Sequence, residues 1–375
     1  MPLSRRRFVQ ASGGLASALV TLPLTAGTLA SFANAAEASS NTPVRLDSNE
    51  NAYGPSPKVV AAMQDALSMA NRYPRPEYSG LVQRIASMHK VEPKRVLLGC
   101  GSSEILRVAA VASLGPGKKF VQPSPTFETA GNFAKLAGAD VISVPLDKQF
   151  AHDLDAMLGH IDANTPLVYI CNPNNPTGSI TPRDALERFI AKVPATTIVL
   201  IDEAYHHFAL ESAGYRSFLD DPINDGRVVV SRTFSKVYGL AGMRLGYAIA
   251  TPELVARLRP YITPVNVNAV VLRAAFAALG DTDYEQQCIA RNASARQEFF
   301  TQAATRGLKP VPCATNFCMM DVGRPTKQVV EYFRSKNVWI GREFPPLTTY
   351  IRVSLGKPEE MKEFWRVYDL QAHAA

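Results

Sequence analysis

Between Arg95 and Ala250 the chain switches repeatedly between two hydrophobic periods, and this switching narrows the possible folds more than any other feature. Apolar runs of strand length fall at 96–98, 119–122, 141–144, 167–170, 197–201, 228–231 and 246–250. Helix-like runs lie between them at 102–114, 126–137, 153–161 and 182–192. Strands separated by helices return in the same direction. The rhythm therefore predicts an α/β fold with a mostly parallel seven-stranded sheet and helices on both faces. Ligands in such sheets sit beyond the carboxyl ends of the strands. From about Thr263 the texture changes to long helical runs (269–279, 284–305), short strands (317–321, 338–340, 351–354) and a final helix from Pro358. The expected organisation is a lead-in at 36–57 packed on a smaller α+β domain at 263–375, with a large domain at 58–262 between them.

Composition limits the function classes. Hydrophobic content of 46% and charged content of 19% are those of a globular protein with an ordinary core. The formal charge is +7, but Arg5, Arg6 and Arg7 belong to it and no basic block follows, so nucleic acid is not an expected partner. Ser4-Arg-Arg-Arg-Phe-Val-Gln10 resembles a twin-arginine export signal. A modestly apolar stretch follows to Phe32, and Ala33-Asn-Ala35 offers a small-residue cleavage site. Residues 1–35 are thus read as a signal peptide, with an uncleaved membrane anchor as the alternative, and the protein as periplasmic, exported folded by the twin-arginine machinery. The five cysteines form no CxxC pair and are expected to be buried and reduced; Cys313 and Cys318 are the one pair close in sequence. No metal site is expected, because His206 and His207 are adjacent and adjacent side chains point apart.

Several strand ends carry chemistry. Lys236 sits in Ser231-Arg-Thr-Phe-Ser-Lys-Val-Tyr-Gly-Leu-Ala-Gly-Met-Arg-Leu-Gly-Tyr247, a loop of small and apolar residues. Partial desolvation there favours a neutral amine able to attack a carbonyl, and Arg244 supplies a planar fork for a phosphate. An aldehyde bearing a phosphate describes pyridoxal phosphate. Val96-Leu-Leu-Gly-Cys-Gly-Ser-Ser-Glu-Ile-Leu106 reads as strand, glycine turn and helix start, so Gly101, Ser102 and Ser103 would face an anion at a positive helix end. Tyr169-Ile-Cys-Asn-Pro-Asn-Asn-Pro-Thr-Gly178 holds Asn175 in a rigid loop as a side-chain donor. Asp202 ends the apolar run 197–201, with Tyr205 just beyond. A carboxylate there is costly unless a cation such as a protonated pyridine nitrogen pairs with it.

This array resembles the class I/II (fold type I) aminotransferases, most closely the histidinol-phosphate aminotransferase group. Further matches are Asp47-Ser-Asn-Glu-Asn-Ala-Tyr-Gly-Pro-Ser-Pro57, Arg72-Tyr-Pro-Arg75, Ser124-Pro-Thr-Phe127, Thr315-Asn-Phe317 and Tyr350-Ile-Arg-Val-Ser-Leu-Gly356. The resemblance runs from about residue 44 onward. It implies that Lys236 bonds the cofactor aldehyde and shuttles a proton, while Asp202 keeps the ring nitrogen protonated. Tyr205 and Asn175 would bind the ring 3′-oxygen. Ser102, Ser103, Ser235 and Arg244 would hold the phosphate, and Phe127 would stack on the ring. Tyr73 would reach a neighbouring subunit's phosphate, making the active unit a homodimer. Arg352, with Arg342 and Tyr53, would bind substrate. The implied reaction is ping-pong transfer from an amine donor to a 2-oxo acid, histidinol phosphate and 2-oxoglutarate being the pair used by the group.

Other readings fare worse. The glycine turn at 99–101 also resembles a methyltransferase loop, which gives no reason for Asp202, Lys236 or Arg352. A penicillin-recognising serine enzyme requires Ser-x-x-Lys, but Thr233 stands three residues before Lys236. A cofactor-binding sensor needs no substrate clamp. Within the fold the rival is a decarboxylase of the threonine-phosphate type or a lyase, and fold alone does not set the reaction. The run Arg342-Glu-Phe-Pro-Pro-Leu-Thr-Thr-Tyr350, and Thr129-Ala130 in place of Met-Tyr, depart from the group's usual pattern and leave another amino donor open.

Overall fold

The computed structural model describes residues 42–223 and 225–372. The export-signal and cleavage-site readings lie outside these residues. Seven strands form one sheet: β2 (Val96–Gly99), β3 (Lys119–Ser124), β4 (Asp140–Pro145), β5 (Leu167–Cys171), β6 (Ile198–Asp202), β7 (Val228–Thr233) and β8 (Gly246–Ile249). Their order is β2-β8-β7-β6-β5-β3-β4, and β8 alone runs against the others. The expected mostly parallel sheet is what forms.

Alternate residues of each strand enter two separate cores. Val168 and Ile170, Val199 and Ile201, Val228 and Val230 pack on one face, against Leu81, Ile85, Phe189 and Leu272 from helices. Leu167 and Tyr169, Ile198 and Leu200, and Val229 pack on the other, against Ile105, Leu106, Ala134 and Leu258. Burying one such aliphatic side chain is worth about 2 kcal/mol. A one-residue slip would exchange the two faces of a strand, so the register is strongly set. Strand ends on this platform are therefore fixed points on which a site can be built.

The remaining strands form two small sheets. β1 (Val44–Leu46) runs parallel to β10 (Val338–Ile340), joining the front of the chain to residues nearly three hundred positions later. β9 (Phe317–Asp321) and β11 (Tyr350–Ser354) pair antiparallel, with Arg352 opposite Met319. Leu46 is buried in a third core with Phe299, Phe333, Phe364 and Trp365. The helix Thr326–Ser335, unanticipated from sequence, covers this cluster through Val329 and Phe333. Among the described residues no helix is long and apolar enough to cross a membrane.

Candidate active site

The carboxyl ends of β6 and β7, the start of the helix Ser102–Ser113 and the edge of β11 enclose a cavity of about 530 Å³. At one end lies an anion cradle. Gly101 adopts φ 74° and opens the helix without any side-chain cap, so no capping side chain competes for the amides of Ser102 and Ser103. Ser102, Ser103 and Ser235 line the wall beside it. Arg244 itself adopts a left-handed φ of 62° and donates from Nη1 to Ala241 O at 2.9 Å and Ser235 Oγ at 3.5 Å. Its guanidinium passes so close over the turn that a Cβ on Gly101 would lie 2.3 Å from Nη2. Gly246 serves the same closeness on β8, where a Cβ would fall 2.3 Å from Ser102 N. Helix amides, hydroxyls and a guanidinium converging in this way suit a phosphate.

Asp202 stands deeper, 2% exposed, at the last position of β6. Tyr169 Oη donates to Oδ2 at 3.1 Å, and the amide of Ala204 donates to Oδ1 at 3.2 Å. Burial pushes the carboxyl up to about 6, and those two hydrogen bonds work against the shift. No cation of the described protein forms an ion pair with it. An anionic carboxylate held by only two donors in a dry site calls for an external cation.

Lys236 lies in the loop after β7 and is partly exposed toward the cavity it lines. Its Nζ donates to Asn49 O at 3.0 Å and sits 5.4 Å from the centroid of the Tyr205 ring. Burial lowers its ammonium to about 8, and the nearby Arg352 pushes the same way. A substantial neutral fraction near pH 8 makes the amine a usable nucleophile and base. Asn49, at a left-handed φ of 54°, is pinned by its N–H to Ser354 Oγ (2.8 Å) and by Nδ2 to Tyr205 Oη (3.0 Å). This one residue therefore orients both the resting lysine and the phenol.

Arg352 closes the opposite side. Nη1 donates to Asn175 Oδ1 at 2.7 Å and Nη2 to Asp47 O at 2.7 Å, while the buried Nε has no partner. With its oxygen engaged by Arg352, Asn175 offers a ligand its NH2 group. Burial lowers the guanidinium to about 10. No carboxylate pairs with Arg352 among the described residues, so it is a ready receptor for an anionic ligand. Arg342 also lines the cavity, but its Nη2 lies 2.6 Å from Glu128 Oε2.

The structure thus brings Ser102, Ser103, Phe127, Asn175, Asp202, Tyr205, Ser235, Lys236, Arg244, Arg342 and Arg352 to one cavity, with Gly101 under the cradle. Tyr73 and Tyr53 stand elsewhere. Tyr73 is 77% exposed beside Val265 and Val267 in a separate surface cleft. Tyr53 lies under the guanidinium of Arg291, 4.5 Å from the ring centroid. Sequence reasoning missed Asn49, Tyr169 and Glu128. Tyr169 was legible in principle, because it lies two residues before Cys171, which pairs with Asp202 across the sheet. Asn49 depends on a contact spanning the chain and carries no local signal.

All five cysteines are free; Cys100 is exposed, contrary to expectation, and the Cys313 and Cys318 sulfurs lie 3.3 Å apart. His206 and His207 contact Tyr215 and Tyr238 at 3.2 and 3.3 Å, and neither lines the cavity.

The residues present fit pyridoxal phosphate. The cradle suits its phosphate, the unpaired Asp202 its ring cation and the desolvated Lys236 its aldehyde, while Arg352, lining the same cavity without a carboxylate partner, suits a substrate anion. Comparison with known proteins agrees. The family description "Aminotransferase class I and II" matches residues 41–367. Histidinol-phosphate aminotransferase of Symbiobacterium thermophilum is 35% identical over 323 residues, covering 86% of this chain and 88% of that protein. An aromatic amino acid aminotransferase of Cutibacterium acnes is 38% identical over 298 residues, covering 79% and 84%. The crystal structure of histidinol-phosphate aminotransferase from Sinorhizobium meliloti, in complex with pyridoxal-5′-phosphate, superposes with a TM-score of 0.81 at 29% identity, covering 87% and 91%. The cavity, its cofactor chemistry and these likenesses converge: the chain belongs to the class I and II aminotransferases, enzymes dependent on pyridoxal phosphate.

Proposed function

We propose that this aminotransferase takes its amino group from an amino-alcohol phosphate of the histidinol-phosphate kind and passes it to 2-oxoglutarate. The observation carrying this reading is Arg352, a buried guanidinium with no carboxylate partner among the described residues, lining the same cavity as Lys236 and Asp202. Arg342 adds a second cation on that side. Bound pyridoxal phosphate supplies a conjugated cationic ring able to accept the electron pair left when a proton leaves the substrate carbon. Asp202 would hold the ring nitrogen in its charged form, and Tyr205 and Asn175 would donate to the ring oxygen. Ser102, Ser103, Ser235 and Arg244 would hold the phosphate, and Phe127 would pack on the ring. The Lys236 amine would take the proton from the substrate carbon and hold it as the ammonium for return to the product. Arg352 fixes the substrate anion so that this proton stands within reach of the amine.

A second reading, an amino acid with an uncharged side chain as donor, is favoured by one observation: Arg342 is already paired with Glu128. Steady-state assays of the holoenzyme with 2-oxoglutarate and a donor panel decide between them. Histidinol phosphate is expected to give the highest kcat/KM, with one glutamate formed per keto product. Carbon dioxide release without a keto product would instead identify a decarboxylase.

We further propose export by the twin-arginine route, a large domain at 58–262 and a small one at 263–375, and a homodimer in which Tyr73 completes the partner's phosphate site. The exposure of Tyr73 and of Leu67, 77% and 62%, supports the dimer. Recovery from a periplasmic fraction of a species with about twice the mature chain's mass is the expected result. A cytoplasmic monomer would contradict both the export and dimer proposals.

A further inference from the structure

Glu128 occupies the N-cap position of the helix Thr129–Leu136 yet makes no capping hydrogen bond. A negative charge near a helix N-terminus is favoured by the helix dipole. Glu128 Oε2 lies 2.6 Å from Arg342 Nη2, across 214 residues of sequence. Arg342 is otherwise fixed by donation from Nη1 to Glu343 O at 2.8 Å and by the Phe344 ring 4.3 Å from its guanidinium carbon. The other side of the substrate wall is marked by Arg352, whose guanidinium carbon is 4.6 Å from the same ring. Two cations thus flank one aromatic side chain and both line the cavity. They differ in one respect: Arg352 is buried and has no carboxylate, whereas Arg342 is 55% exposed and already has one.

The difference sorts substrates by charge. An α-amino acid with an uncharged side chain presents one carboxylate, which Arg352 can take alone. An amino-alcohol phosphate carries its anion farther from the amine-bearing carbon, and a dicarboxylate carries a second anion. Either reaches past Arg352 to Arg342 and must compete with Glu128 there. Exposed ion pairs are individually weak, so the pair opens readily while its carboxylate still repels an incoming anion.

We infer that Glu128 is a specificity-determining residue, an internal anion that competes for Arg342 with phosphate-bearing and dicarboxylate substrates and leaves monocarboxylates untouched. The inference rests on the reading of Arg342 as part of the substrate wall. Two holoenzyme variants, Glu128→Gln and Arg342→Gln, are compared with the parent enzyme on histidinol phosphate, 2-oxoglutarate, phenylalanine and phenylpyruvate. Dissociation constants come from the spectral change of the bound cofactor and KM from steady state. Glu128→Gln is expected to lower KM and Kd for histidinol phosphate and 2-oxoglutarate about fivefold, leaving kcat and the phenylalanine and phenylpyruvate constants unchanged. Arg342→Gln is expected to raise the same two sets of constants. If Arg342→Gln raises them while Glu128→Gln moves nothing, the ion pair is an ordinary surface contact; the proposal is overturned and the substrate wall stands. If Arg342→Gln also moves nothing, the substrate wall is misplaced and both fail. A uniform change across all four substrates in Glu128→Gln likewise overturns the proposal.

Discussion

Asp202 and Lys236 are displaced from their ordinary ionisation in opposite senses by the same cause, burial. In Asp202 the displacement is restrained by Tyr169, a wholly buried phenol that donates to Asp202 Oδ2. Hydrogen bonds to a charged form favour it. The sign follows directly. As pH falls through about 6, Asp202 takes up a proton and loses its hold on a ring cation, so cofactor affinity should fall on the acid side. Tyr169→Phe removes a donor to the anion and moves that fall to higher pH. A hydrogen bond to a charged group is worth about 1.5–3 kcal/mol, which raises the Asp202 pKa by about one to two units, so cofactor Kd at neutral pH should rise severalfold. Tyr169 is a positioning residue, and the informative readout is the pH dependence of cofactor binding followed by absorbance. An unshifted acid limb with unchanged Kd would show that Tyr169 only fills the core.

At the scale of elements, what was legible in the sequence was whatever depends on short-range pattern. The seven strands and the helices between them follow from a change of hydrophobic period, and each lies where that change places it to within a few residues. Asp202, Asn175 and the Lys236 loop were legible because a polar residue ending a buried strand has few structural uses. The reversed direction of β8 was not legible, since nothing local separates a hairpin-like return of 234–245 from a crossover. Nor was the pairing of β1 with β10, for three residues carry too short a pattern to register. Arg244 was read as a phosphate fork, but its left-handed backbone was not foreseeable in a residue type that rarely adopts it. The Glu128 to Arg342 contact was hidden for the same reason as Asn49: both are meetings of distant segments.

Over the whole molecule the site is assembled from pieces that are remote in sequence. Asn49 O receives Lys236 Nζ, Asn316 Nδ2 donates to the same oxygen at 3.0 Å, and Arg352 reaches back to Asp47 O and across to Asn175. Residues 47–49 are therefore a structural wall of the cavity and not a tether. The platform sheet sets Asp202 and the phosphate cradle, while β11 and the lead-in set Arg352 and Asn49. The central claim is that this convergence makes Lys236 the one amine that bonds the cofactor aldehyde. The direct test is to equilibrate the purified protein with pyridoxal phosphate, reduce it with borohydride, and map the modified peptide by mass spectrometry. The account predicts a single cofactor-derived mass on the peptide containing Lys236, with the visible absorption band lost in Lys236→Ala. Modification spread over surface lysines, with Lys236 unlabelled, would contradict it.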